Sequence, residues 1–139
     1  MANAEQNKLH MLRFTEFINT ASEKLAEELV SVDATFHVPG SVEPLSGPTG
    51  YLSLIGMLRS GFSDIQWTLE ELIAEQDKVA ARFTMRGTHN GTFFGIPPTG
   101  KLIAVQAMNF YRFLNGKIVE ERGQPDLLLL LQQIGAAPL

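Results

Sequence analysis

The sequence predicts one α+β domain in which helices cover one face of a curved antiparallel sheet. Three observations predict it. Apolar residues recur at helical spacing over the first thirty residues, and at a spacing of two from Ile65 onward. Asn115-Gly116 joins two of the period-two runs and is the strongest short hairpin signal in the chain. The order is helices, a strand, a helix, four long strands and a last helix, which argues for helices packed on one sheet face. With 139 residues the chain is one domain's worth, 1–139. A chain of this size buries roughly 68–70% of its unfolded surface and needs no metal or disulfide staple.

Met11, Phe14, Ile18 and Ala21 define the first helix, with Phe17 widening its apolar stripe. Thr20-Ala21-Ser22-Glu23 resembles a capping box that starts a second helix carrying Leu25, Leu29 and Val30. A short strand is expected over residues 34–38. Pro39-Gly40 then opens a loop rich in Pro, Gly and Ser up to Gly50, either a pocket lid or a surface loop. A third helix covers residues 49–59, with Tyr51, Leu52, Leu54, Ile55 and Leu58. Residues 65–74 and 78–88 form a hairpin about Gln76-Asp77, and 102–113 and 117–122 form the second. Between them, residues 91–101 make a long Gly/Pro-rich connection. Pro125 suits the first position of a closing helix that Gly135 ends.

The third long strand is apolar on both sides. Ile103, Val105, Ala107 and Tyr111 share one face; Leu102, Ala104, Met108 and Phe110 share the other. One face is expected to line the core and a pocket, the other a homodimer interface. The five leucines of residues 127–131 surround their helix, so more than one neighbour is expected to pack there.

Composition narrows the function classes. There are no cysteines, which removes disulfides, thiol nucleophiles and thiolate metal sites. A net charge of −4 without any basic run argues against nucleic acid. Residues 1–10 are polar, and no apolar run approaches a membrane span, so the expected location is cytoplasmic. His10, His37 and His89 are scattered without paired spacing, so no metal is expected.

Gly87-Thr88-His89-Asn90-Gly91, followed by Phe94-Gly95-Ile96-Pro97-Pro98-Thr99-Gly100-Lys101, resembles the central signature of the SnoaL-like polyketide cyclase family. The stretch from Asn115-Gly116-Lys117-Ile118-Val119-Glu120 through Pro125-Asp126 to Gln133-Ile134-Gly135 resembles that family's closing strand and helix. The resemblance implies a cone-shaped fold of the nuclear transport factor 2-like kind, a deep pocket, homo-oligomers built through the sheet, and no cofactor. In the characterised cyclases an Asp on the last strand is acid and base for an intramolecular aldol closure, and a His on the preceding strand faces it. By position that Asp falls on Gly123, that His on Asn109, and a second pocket His on Glu121. Gly123 cannot transfer a proton, so the family's mechanism does not carry over unchanged.

Glu121 is the candidate replacement: two residues from Gly123 on a strand, it faces the same way, and an apolar pocket raises a carboxyl pKa. The plainer reading is a solvent-facing Glu. Asn109 either stabilises a ligand oxyanion or satisfies a helix end. His37 and Asp126 are candidate assistants; the alternatives are a surface His and a helix-capping carboxylate. Tyr51, Trp67, Met108 and Tyr111 are candidate walls for a small apolar or aromatic-ring ligand, or plain core. Arg82 is a further ligand candidate, or half of a cross-strand ion pair with Glu70 or Glu71. Epoxide hydrolases on this scaffold pair such an Arg with a nearby Asp, which Arg82-Phe83-Thr84 lacks. His89 is expected to stabilise its turn.

Three functions follow. The first is a cofactor-independent acid/base catalyst of polyketide or ester cyclase type, acting on a small carbonyl compound. The second is a non-catalytic small-molecule-binding dimer, favoured by Gly123. The third is a structural dimer with a filled cavity, which a pocket below roughly 300 Å³ would indicate.

Overall fold

The computed structural model describes residues 4–40 and 42–138; Ser41, inside the expected loop, and residues 1–3 of the polar N-terminal stretch lie outside the described residues. Helices α1 (Ala4–Thr20) and α2 (Glu23–Leu29) lead into β1 (Val30–His37). The two-residue strand β2 (Leu45–Ser46) precedes α3 (Gly47–Gly61), and β3 (Gln66–Glu75), β4 (Lys78–Thr88), β5 (Leu102–Leu114) and β6 (Lys117–Pro125) follow, closed by α4 (Leu127–Gln133). The strands form one curved sheet in the order β2-β1-β6-β5-β4-β3.

Several local features differ from expectation for identifiable reasons. Ala21 takes a left-handed φ of 55°, which ends α1 and leaves Ser22, not Thr20, as the cap of α2. The Ser22 hydroxyl accepts from the Leu25 N–H at 3.2 Å. Val30 opens β1 instead of closing α2. β1 pairs with β6 in parallel, so the sheet is mixed. The first strand is joined to the last by the whole intervening meander, so no tight turn forces the two to run antiparallel. At the other end Pro125 stays in β6, because the Asp126 N–H still bonds Gln106 O at 2.9 Å. Asp126 then caps α4 by accepting from Leu129 N–H at 3.1 Å.

The hairpins form as expected. Asn115 and Gly116 have φ of 53° and 79°, the paired positive values of a type I′ turn. The β4–β5 register runs unbroken from Lys78↔Arg112 to Thr88↔Leu102. His89 organises the connection that follows. Its backbone bonds Lys101 and Gly100, and its Nδ1 takes the Thr99 hydroxyl at 2.9 Å.

Helices α1 and α3 cover the concave face. One apolar cluster joins Phe14 and Phe17 of α1, Phe36 of β1, Tyr51 and Ile55 of α3, and Tyr111 of β5. A second gathers Phe62, Met85, Phe93, Val105, Ala107 and Leu130. Trp67 packs against both. The convex face is bare: Ile73, Met108 and Phe110 are 61%, 59% and 66% exposed. The leucine run is likewise less enclosed than expected, since Leu130 is buried while Leu128 lies in solvent. No helix among the described residues is long and apolar enough to cross a membrane.

The end of α3 depends on a close backbone approach. The Gly91 and Asn90 N–H groups bond the Gly61 carbonyl at 3.0 and 3.1 Å, and a Cβ on Gly91 would collide with the Ser60 carbonyl. Gly91→Ala is therefore expected to destabilise the fold by roughly 3 kcal/mol, the upper end for overpacking. Thermal unfolding should show a fall in Tm on the order of 10 °C.

Candidate active site

A slot opens between the two apolar clusters, against the inner face of β5 and β6. Its floor carries polar groups from both strands. Asn109 lies directly across from Gly123, and Tyr111 directly across from Glu121. Strict alternation from the buried Ile118 would turn Glu121 outward. A bulge prevents this: Phe113 pairs with Ile118 but Arg112 pairs with Glu120, leaving Val119 as the extra residue. Glu121 thereby points inward, 3% exposed, while Glu120 meets Arg122 at 3.2 Å in solvent.

Glu121 is surrounded by rings. Phe36 neighbours it on the β1 side, Tyr111 on the β5 side, and Tyr51 packs edge-on against Phe36 at 4.6 Å. Burial raises the Glu121 pKa from 4.5 to about 8, and the Tyr51 hydroxyl offsets this only in part. Burial, then the charge of Glu121, holds the hydroxyls of Tyr51 and Tyr111 well above the usual phenol range. Glu121 Oε1 is buried without a hydrogen-bond partner, an open acceptor of the kind that protein interiors rarely leave.

Asn109 is held at both ends. Its Oδ1 accepts from the Gln124 N–H at 3.0 Å, and its Nδ2 donates to the Tyr111 hydroxyl at 3.0 Å. Gly123 makes the arrangement possible. A Cβ there would stand 3.1 Å from Glu121 Oε2 and 3.4 Å from Asn109 Oδ1. The carboxyl of Glu121 thus overlies the backbone position to which the family resemblance assigns an acid.

The slot brings together Glu121, Asn109, Tyr51 and Trp67 among the sequence candidates, and Tyr111 supports it from below. The others lie elsewhere. Arg82 and Met108 pair with each other on the convex face, where Arg82 bonds Glu71 at 3.1 Å, so neither reaches the slot. That ion pair is the cross-strand alternative, with a bulge between Leu69 and Glu71 selecting Glu71 as partner. His37 alternates outward from the buried Phe36 and sits across from the exposed Arg122. Asp126 is exposed and committed to its helix cap. Sequence reasoning missed Leu54, Met57, Phe93 and Phe94, which line the slot's upper wall and mouth. For Phe94 there was a signal, a bulky residue directly before a turn glycine. As it stands the slot encloses ≈ 90 Å³, less than the roughly 300 Å³ of a small-molecule site; that volume falls on the side of the filled-cavity reading, and a ligand would have to widen the slot. Among the described residues no three acidic or histidine side chains gather to hold a metal ion.

A buried carboxyl and an anchored amide lie under an apolar slot, on a curved sheet covered by helices, in a fold of the α+β cone class. The chain belongs to the SnoaL-like polyketide cyclase family, whose model matches residues 8–134. It is 29% identical over 128 residues to the aklanonic acid methyl ester cyclase of Streptomyces peucetius, covering 88% of this chain and 86% of that protein. It is 33% identical over 92 residues to the nogalonic acid methyl ester cyclase of Streptomyces nogalater, covering 65% of this chain and 68% of that protein. The fold matches the crystal structure of IdmH, a candidate polyketide cyclase from Streptomyces antibioticus, with a TM-score of 0.84 at 29% identity, over 94% of this chain and 99% of that one.

The raised pKa makes a stability prediction. A carboxyl at about 8 when folded and near 4.5 when unfolded holds its proton only in the native state between those values. Its contribution is complete below pH 4.5 and is lost as pH rises to about 8. Wild type should lose on the order of a few kcal/mol across that window, and Glu121→Gln should flatten the loss. Urea unfolding at a series of pH values measures both curves.

Proposed function

We propose that the chain is a cofactor-independent acid/base catalyst of cyclase type, closing a ring within a small polycarbonyl substrate, with Glu121 in the role of the missing Asp. The observation that carries this reading is the inward Glu121 carboxyl, with one unpartnered oxygen, beside Asn109 and above Gly123. Ionised Glu121 removes a proton from a carbon flanked by two carbonyls. The C–H bond breaks and its electron pair delocalises onto a carbonyl oxygen. That oxygen accepts a hydrogen bond from the second Nδ2 hydrogen of Asn109, whose amide Gln124 and Tyr111 keep in place. The carbon then bonds to a second carbonyl carbon of the same molecule, and the new alkoxide takes the proton back from Glu121. A base of pKa near 8 suits this work, because its proton affinity is high while its ionised form is still populated near neutral pH.

The test uses aklanonic acid methyl ester, the substrate named for the relatives, in D₂O. NMR follows exchange at the activated carbon, and chromatography follows ring closure. Glu121→Gln should lower both rates at least ~100-fold with little change in KM. In wild type kcat/KM should climb with pH, pass half its maximum near pH 8, where the carboxyl ionises, and level off above it. A variant as fast as wild type would remove Glu121 from the mechanism. Binding by wild type without exchange or closure would favour the non-catalytic module instead.

We also propose that a second copy of the chain covers the convex face, giving a homodimer. Support comes from the apolar strip of Ile73, Met108 and Phe110, rimmed by Arg82, Arg112 and Arg122 with their acidic partners Glu71 and Glu120. Phe110→Arg, placed across from Arg122, should convert a dimer to a monomer in sedimentation velocity. A wild type that sediments as a monomer would overturn this.

A further inference from the structure

Two tight turns in this chain share one backbone conformation but not one chemistry. Asn115-Gly116 and Phe94-Gly95 both have positive φ at each central residue, 53° and 79° in the first, 47° and 75° in the second. The turn type accounts for Asn at the first position. It does not account for Phe, since a bulky side chain at positive φ is a genuine outlier. The turn is closed nonetheless: Phe93 and Ile96 exchange both backbone hydrogen bonds, at 3.0 and 2.8 Å. Its strain is thus imposed by the pair of bonds around it, and such strain tends to concentrate at functional positions.

The strained residue stands at the mouth of the slot. Phe93 is buried below it, with ring centroids 4.4 Å apart, whereas Phe94 is 51% exposed. The far edge of the Phe94 ring faces the opposite loop, 3.5 Å from where a Cβ on Gly40 would be. The ring therefore reaches from the 91–101 connection to the Pro39-Gly40 turn, and both sides line the slot. The slot beneath encloses ≈ 90 Å³, too little for any ring-bearing ligand.

We infer that Phe94 is the gate of this pocket and a determinant of its specificity: a ligand enters by displacing the ring from Gly40, and a planar ring system is then retained against its face. The inference rests on the slot being the ligand site, but it does not depend on Glu121 performing chemistry. A gate differs from an ordinary contact in its kinetic signature. Losing a contact speeds dissociation alone, whereas removing a gate speeds both directions.

Trp67, the chain's single tryptophan, lines the slot and reports occupancy. Stopped-flow quenching by quinizarin, a planar tricyclic diketone, gives both rate constants for wild type and Phe94→Asn. Asn keeps the left-handed turn while removing the ring, so circular dichroism and Tm should be unchanged or improved. The association and dissociation rate constants should each rise at least ~10-fold. Binding by the variant alone would support the gate equally. An unchanged association rate with faster dissociation would reduce Phe94 to a contact and overturn the gate. Absence of quenching in both proteins would overturn it too. Because quinizarin binding involves no proton transfer, a failed Glu121 exchange test leaves this result standing, and the reverse also holds.

Discussion

One aromatic cluster ties the molecule together. Phe14 lies 5.2 Å from Tyr51 and 5.4 Å from Tyr111, Phe17 lies 5.7 Å from Tyr51, and Phe36 lies 4.6 Å from Tyr51. These rings come from α1, β1, α3 and β5, so the contacts lock two helices onto two strands that pair with neither helix by backbone bonds. Each such pair adds about 0.5–1.5 kcal/mol beyond its burial. The same rings also set the site. The Tyr51 hydroxyl bonds the Glu121 carboxyl, the Tyr111 hydroxyl accepts from Asn109, and both rings pack beside Phe36 around the buried acid.

Burying that carboxyl costs stability, and its location is specified by three separate devices. The bulge at Val119 turns Glu121 inward. Gly123 leaves room for it, where any side chain would meet Glu121 and Asn109. Asn109 is anchored by backbone on one side and Tyr111 on the other. Each would be a defect in an ordinary strand: an extra residue, a missing side chain, a half-buried amide. Together they place an acid and a donor side by side at the floor of an apolar slot, where neither competes with solvent for a ligand.

Much of this was legible in the chain itself. Asn115-Gly116 marks its hairpin because only residues tolerant of positive φ permit a type I′ turn, and the pairs beside the turn, Leu114↔Lys117 and Phe113↔Ile118, follow from it. The alternation of β5 set Ile103, Val105, Ala107 and Tyr111 on one face and Leu102, Ala104, Met108 and Phe110 on the other without telling which is covered; the first set is the buried one. The signature around residues 87–101 pointed to the family that the whole-chain comparison establishes. Less legible were Arg82 and Met108. Their strand and parity could be read, but whether that face lined a pocket or solvent depended on which side the helices packed.

By itself the sequence determined the order of the helices and of the five longer strands, though not the two-residue β2, together with the hairpins, the fold class and the absence of the family's acid at Gly123. Those properties are local, set by side-chain periodicity, turn geometry and residue identity. Tertiary structure alone decided that β1 joins β6 in parallel, that a bulge faces Glu121 inward, and that His37 and Asp126 face away from the slot. A one-residue bulge reverses every side chain beyond it, and alternation in sequence cannot reveal where the count slips. The burial that raises the Glu121 pKa comes from Phe36, Tyr51 and Tyr111, residues far apart in the chain that meet only when the sheet curves and the helices close over it.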